Sequence, residues 1–266
     1  MLERRSAANG VVYYASPLLE WAEIPHAFST RLGGISPAPF DSLNLGNPSG
    51  CEVVDDYQRI WENYRLLAAA AGCAGRELLR VHQVHGPKVL LAQRGEHFDV
   101  SAKADAIIVS DPGRIASVRV ADCVPVLLAT RDGQTVAAVH AGWRGVIAGV
   151  VTAAVSEIQQ AGAEPLEILA AIGPCIGFDA FEVGPEVLAE FARVFGANAP
   201  RRTASGGKGF IDLRAAIQRQ LSEAGVASES IDSTDLCTWQ GREEFFSHRR
   251  DSGVTGRMAA IISARA

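Results

Sequence analysis

The sequence lacks most of what would tie it to a polymer or a membrane. Its 25 basic residues are outnumbered by 30 acidic ones, a formal net charge of −5. The basic excess that draws proteins to a nucleic-acid backbone or an anionic lipid surface is therefore missing, and no nucleic-acid or membrane partner is expected. The short clusters Arg201-Arg202 and His248-Arg249-Arg250 read as solvated loop charge. Long apolar runs are also missing. The most apolar stretch, Val146 to Val155, falls far short of the roughly 20 residues that a bilayer-spanning helix needs. The charged start, Met1-Leu2-Glu3-Arg4-Arg5, is followed by Glu20, Glu23 and His26 rather than by a continuous apolar segment, which argues against a secretory signal. Cysteine is sparse: five residues, odd in number, scattered, with no CxxC pair. That pattern excludes a disulfide framework and points to a reduced, cytoplasmic chain whose thiols are free for packing, metal binding or chemistry.

What is present is a chain of 266 residues, 48% hydrophobic and 21% charged. Such a chain buries about 70–75% of its unfolded surface and needs no cross-link to hold a core. No repeat, low-complexity tract or charge block divides it, and the one linker-like stretch, Ala197 to Gly209, reads as a surface loop. A single domain over residues 1–266 is expected. Short Val- and Ile-rich runs predict strands at Gly10–Tyr14, Leu79–His85, Lys88–Gln93, Ala106–Val109, Ile115–Val120, Val126–Ala129, Thr135–His140 and Leu166–Ile172. Further strands are predicted near Ser230–Thr238 and Arg257–Ser263. Arg131-Asp132-Gly133 is a hairpin signal. Helical spacing of apolar residues predicts helices over Asp55–Ala71, Val146–Gln160, Pro185–Phe195 and Leu213–Glu223, the last with Asp212 as N-cap. Many strands arrive in hairpin order with helices interspersed irregularly, which favours an α+β layered fold over a doubly wound sheet.

Three segments carry reactive residues at the ends of apolar strands, where a rigid sheet can aim side chains. They are Val81-His82-Gln83-Val84-His85-Gly86, Ala121-Asp122-Cys123-Val124-Pro125 and Val139-His140-Ala141-Gly142-Trp143-Arg144-Gly145. On a regular strand His82 and His85 point to opposite faces, and spacing alone does not choose between them. Asp122 beside Cys123 is a carboxylate in an otherwise apolar run, which asks for a function. The glycines around Trp143-Arg144 allow close backbone approach, and Arg144 near a helix start suits an anion. Together His85, Cys123 and His140 make a sound zinc set of the catalytic kind, with three protein ligands and one open position. A nucleophilic pair of Cys123 and His140 is the rival assembly of the same atoms.

At these segments the chain resembles the YfiH-type, laccase-domain family, once regarded as multicopper polyphenol oxidases and now as purine nucleoside phosphorylases. The resemblance runs from Ser29-Thr30-Arg31-Leu32-Gly33-Gly34 and Ser42-Leu43-Asn44-Leu45-Gly46 through the three segments above. It continues into Ile172-Gly173-Pro174, Phe181-Glu182-Val183-Gly184, Cys237-Thr238 and Thr255-Gly256-Arg257. It implies zinc held by His85, Cys123 and His140, with copper as the alternative metal, and leaves His82 outside the motif. It also implies layered mixed β-sheets flanked by helices, similar to the cysteine-hydrolase toxin-like fold. The implied chemistry is phosphorolysis of adenosine, inosine, guanosine and methylthioadenosine, with adenosine deamination beside it, so the partners are a purine nucleoside and phosphate. Arg31 and Arg144 are candidate anion holders, Asn44 a candidate for ribose or base, and Asp122 a candidate partner orienting His85 or His140. A monomer or small homo-oligomer is expected. Two alternatives remain: a Cys–His amidohydrolase or peptidoglycan-editing enzyme acting on a cell-wall precursor, and a copper polyphenol oxidase. Where many relatives carry a cysteine pair after the Gly-Pro segment, this chain has Cys175 alone, which weakens any copper site built on that pair.

Overall fold

The computed structural model describes residues 1–48 and 50–266 and places two six-stranded sheets face to face. The first sheet has the order β1 (Glu3–Ser6), β2 (Val12–Ala15), β3 (His26–Ser29), β15 (Met258–Ile262), β7 (Arg114–Val120), β4 (Glu77–Leu79). The second runs β14 (Ile231–Asp232), β10 (Ile168–Ile172), β8 (Val124–Thr130), β9 (Val136–Ala141), β6 (Ala106–Val109), β5 (Val89–Ala92). Neighbours are antiparallel except the pairs β4–β7, β5–β6 and β10–β14. The helices are α1 (Pro17–Trp21), α2 (Tyr57–Ala70), α3 (Trp143–Ile147), α4 (Val150–Gln160), α5 (Pro185–Phe195) and α6 (Leu213–Glu223). A small third sheet joins β11 (Glu182–Val183), β12 (Arg201–Thr203) and β13 (Gly209–Ile211). Among the described residues, no helix is long and apolar enough to cross a membrane.

Side-chain alternation explains the layering. Successive residues of a strand face opposite sides. In β8, Val124, Val126 and Leu128 pack into a core shared with α4, α5 and α6, while Leu127 and Ala129 pack against the first sheet. In β15, Met258, Ala260 and Ile262 face that same inter-sheet core, and Ala259 and Ile261 face α2. The order through the molecule is thus α2, first sheet, second sheet, then α3 to α6, while α1 packs Leu19 into the core between the sheets. Strands buried on both faces read as continuous apolar runs, which is why β8, β9 and β15 are conspicuous in the sequence. The fold is α+β with mixed sheets flanked by helices, as expected.

Several boundaries differ from the sequence reading, each for a local reason. Leu79–His85 is not one strand: β4 ends at Leu79, His82 makes only an isolated bridge to Lys103, and His85 has a φ of 61°. The helix read over Val146–Gln160 is two helices, because Gly149 turns left-handed (φ 77°) between α3 and α4. The Ala197–Gly209 loop contributes β12 and the start of β13 to the third sheet. Strand β1, Glu-Arg-Arg-Ser, carries no apolar signal because it lies at a sheet edge. The hairpin at Arg131-Asp132-Gly133 joins β8 to β9, with Asp132 accepting from Thr130 Oγ1 and the Gln134 N–H. Asp212 caps α6 by accepting from the Ala215 N–H at 3.0 Å.

That cap has a measurable worth. Asp212→Ala is expected to lower unfolding free energy by about 1 kcal/mol in chemical denaturation. An unchanged midpoint and slope would show that α6 is held by its buried face alone.

Candidate active site

The three reactive segments converge where the two sheets meet. Cys123 sits in the tight connection from β7 of the first sheet to β8 of the second, and His140 lies near the end of β9. His85 follows β4 on an irregular path. Two residues here hold backbone conformations that side-chain-bearing residues seldom adopt, His85 at φ 61° and Asp122 at φ 90°. Such outliers cluster where a structure must aim a group. Gly142 completes the packing: a Cβ there would lie 2.5 Å from His85 Cδ2 and 3.1 Å from Cys123 Sγ, so only glycine lets the backbone pass.

His85, Cys123 and His140 present ligand atoms that all lie within 4.8 Å of one another. Cys123 Sγ is 3.8 Å from His85 Nε2, and the two imidazole rings meet edge to face with centroids 4.8 Å apart. Tetrahedral zinc with ordinary Zn–N and Zn–S bonds holds neighbouring donors about 3.3–3.6 Å apart, so the Cys123–His85 pair at 3.8 Å is near that spacing and the group as a whole would draw together around such an ion. Two imidazoles and one thiolate also match zinc in chemistry, and three protein donors would leave one of its usual four positions to another ligand.

Asp105 organises the group. It is fully buried just before β6, and its Oδ1 accepts from His140 Nδ1 at 2.8 Å. The backbone N–H groups of His85 (2.9 Å), Gly86 (2.8 Å) and Val84 (3.2 Å) donate to the same carboxylate. A carboxylate can only accept, so the His140 proton stays on Nδ1 and Nε2 is left as the donor atom toward the cluster. Burial pushes the Asp105 carboxyl up, but His140 and the N–H donors outweigh it and the net shift is downward. Burial likewise pushes the Cys123 thiol up, and the two histidines, His140 foremost, overcome it and bring the thiol to about 6. Burial lowers His140, while the Cys123 thiolate and Asp105 raise it to about 9. Near neutral pH the metal-free group is thus a thiolate beside an imidazolium.

The structure places the other sequence candidates away from this cluster. Asn44 is fully buried; its Nδ2 donates to Asp55 and its Oδ1 accepts from the N–H groups of Gly46 and Arg257. Arg31 lies over the Phe246 ring and pairs with Asp41, with further bonds to the carbonyls of Asp41 and Arg242. Arg144 is exposed and stacks on Trp143. Asp122 does not touch either histidine ligand: its carboxylate accepts from Thr238 Oγ1 and the Arg249 N–H, which holds the Cys123 turn in place. The carboxylate on His140 is Asp105, whose signal in the sequence is the same one that drew attention to Asp122, a lone charge before an apolar run. The cavity onto which the cluster opens has a volume of about 260 Å³, and Asn47, Gln83, Arg119, His248 and Arg257 also line it. Arg119 is the one charge within the strand Ile115–Val120, a signal that reading the strand for its ends overlooks.

Two predictions follow the geometry. Between about pH 6 and about pH 9 the metal-free site carries one proton that a metal must displace from His140. Apparent metal affinity therefore rises with pH, about tenfold per unit across that window, in competition with a chromogenic chelator; a flat profile would contradict the thiolate–imidazolium state. Asp105→Asn removes the carboxylate that holds His140 and the His85 turn, and metal affinity is expected to fall about 10- to 100-fold by the same titration.

Residues 25–265 match the family described as multi-copper polyphenol oxidoreductase laccase. The chain is 42% identical over 234 residues to an Escherichia coli (strain K12) protein named purine nucleoside phosphorylase YfiH, covering 88% of this chain and 91% of that one. It is 37% identical over 240 residues to a Deinococcus radiodurans protein named purine nucleoside phosphorylase, covering 90% and 88% respectively. Two solved structures superpose along nearly the whole length. The Bacillus licheniformis hypothetical protein YfiH gives a TM-score of 0.87 at 29% identity, covering 98% of this chain and 99% of that one. YlmD from Geobacillus stearothermophilus gives 0.87 at 31% identity, covering 99% of each. The family match over residues 25–265 and the 42% identity along most of both chains agree, and the chain belongs to the YfiH-type, laccase-domain family.

Proposed function

We propose that this chain is a zinc-dependent purine nucleoside phosphorylase acting in the cytoplasm on adenosine, inosine, guanosine and methylthioadenosine, with adenosine deamination as a second reaction of the same cavity. The observation that carries the reading is the three-donor group of His85, Cys123 and His140 lining a cavity of small-molecule size. The names of the curated relatives support its phosphorylase part. In phosphorolysis an oxygen of phosphate bonds to ribose C1′ as the C1′–N9 bond breaks. The bond's electron pair leaves with the purine, which in net takes the proton that phosphate gives up. The products are ribose 1-phosphate and the free base.

The chain's own groups set up this reaction. His85, Cys123 and His140 would hold the ion, which when bound supplies a fixed positive charge and a Lewis acid beside the substrate. Asp105 keeps the His140 proton on Nδ1 and anchors the turn that presents His85. Asp122, tied to Thr238 and Arg249, keeps Cys123 turned toward both histidines. Burial and then the Arg257 charge hold His248 below its ordinary value, so it faces the cavity as a neutral imidazole able to accept a hydrogen bond from a ribose hydroxyl.

One observation favours a second reading. Cys123, His140 and Asp105 also line up as thiol, imidazole and carboxylate, the order of parts in a Cys–His hydrolase, which is the form an amidohydrolase acting on a cell-wall precursor would take. The family's copper-oxidase description finds less support: among the described residues only one group of three or more metal-ligating side chains is present, whereas multicopper chemistry needs several.

Zinc-loaded protein should release hypoxanthine from inosine only when phosphate is present, and Cys123→Ser should reduce that rate at least about a hundredfold, read by chromatography. Activity that survives chelation but is lost on alkylating Cys123 would favour the hydrolase instead.

A further inference from the structure

We propose that Arg119 and Arg257 form the phosphate subsite of the cavity, a seat for one tetrahedral oxyanion between two guanidinium groups. The choice of inorganic phosphate as the oxyanion rests on the phosphorolysis reading; the seat itself rests on the geometry.

Both side chains line the cavity that the ligand atoms of His85, Cys123 and His140 face. Many arginines of this chain are paired with carboxylates, such as Arg4 with Glu244 and Arg219 with Glu223. Among the described residues, neither Arg119 nor Arg257 forms a salt bridge. Two like charges therefore share a partly buried space, and burial first, then the Arg119 charge, pull Arg257 below its ordinary value. Such an arrangement is electrostatically unfavourable until an anion enters, and it is the arrangement an anion site requires.

The two groups are also held in place. The Gln83 side chain clamps the Arg119 backbone from both sides, its Nε2 donating to the carbonyl at 2.8 Å and its Oε1 accepting from the N–H at 2.9 Å. Gly46 clears the path of the Arg119 side chain, since a Cβ there would lie 2.8 Å from Arg119 Cδ. Arg257 is fixed at both ends. Its backbone N–H donates to the buried Asn44 at 2.9 Å, and its Nη1 donates to the carbonyls of Thr255 and Gly256, each at 3.0 Å. Its Nε and Nη2 have no partner among the described residues. An oriented fork with free N–H groups suits the edge of a phosphate.

The amides that line the cavity are already committed. Gln83 is spent on Arg119, and Asn47 exchanges two hydrogen bonds with the Asp55 backbone. The two guanidinium groups are thus the strong donors left for an oxyanion. This assigns to Arg119 and Arg257 the role that position in the chain suggests for Arg31 and Arg144.

Arg119→Gln and Arg257→Gln test the seat in the zinc-loaded full chain, with inorganic phosphate as probe. Each variant should weaken phosphate binding by calorimetry, and raise the phosphate KM, about 10- to 100-fold, the worth of one charge-assisted interaction. The inosine KM should stay within about threefold, and the Lys variants should recover part of the loss. Unfolding midpoints and zinc content near those of wild type show that the variants fold. Phosphate binding unchanged in both Gln variants overturns the proposal. So does a loss confined to inosine 5′-monophosphate, which would give the seat to a nucleotide. If phosphate binds and the variants lose it, yet wild type cleaves no nucleoside, the subsite stands and the phosphorylase reading falls.

Discussion

The site depends on one buried carboxylate. Removing Asp105 from water costs several kcal/mol unless its lone pairs are filled, and here four donors fill them. Three of those donors are consecutive backbone N–H groups of the segment that carries His85, and the fourth is the His140 ring. The same bonds that solvate the charge therefore set the left-handed turn at His85 and the tautomer of His140. Gly142 matters for the same reason, because the space between the ligands leaves no room for a Cβ. Remove the carboxylate and the two histidines lose their common reference point, although each would keep its place in the chain.

Much of the fold was legible before the structure. Doubly buried strands such as β8, β9 and β15 declare themselves as apolar runs, and the hairpin at Asp132-Gly133 and the cap at Asp212 have local causes that a sequence displays. The convergence of His85, Cys123 and His140 was legible too, as three residue types at strand ends, with the family resemblance choosing His85 over His82. What stayed hidden was non-local. That Asp105 rather than Asp122 meets His140 depends on the antiparallel pairing of β6 with β9, which sets Ala106 opposite Val139. That Asn44 is a buried brace and not a cavity residue depends on packing against Gly256 and Asp55. The break at Gly149 and the edge strand β1 escape for the opposite reason: their apolar pattern is either continuous across a break or absent.

The family description names a copper oxidoreductase, the curated relatives are named phosphorylases, and the geometry helps explain how both descriptions attach to one scaffold. Two imidazoles and a thiolate can take up copper as well as zinc, since affinity alone does not favour zinc. A single three-donor group is not a multicopper centre. What separates the readings is the rest of the cavity, where two guanidinium groups with no carboxylate partner among the described residues suit an anion better than a phenol.

The donors come from both halves of the sandwich. Cys123 sits at the crossover from one sheet to the other, His85 follows a strand of the first, and His140 belongs to the second. An ion shared by these three would also tie the two sheets together. By mass action it would add about 4 kcal/mol when free metal exceeds its dissociation constant about a thousandfold. Heat resistance of this protein should then follow the metal content of the preparation, so that a chelator used during purification yields a softer molecule with an intact hydrophobic interior and a loosened seam.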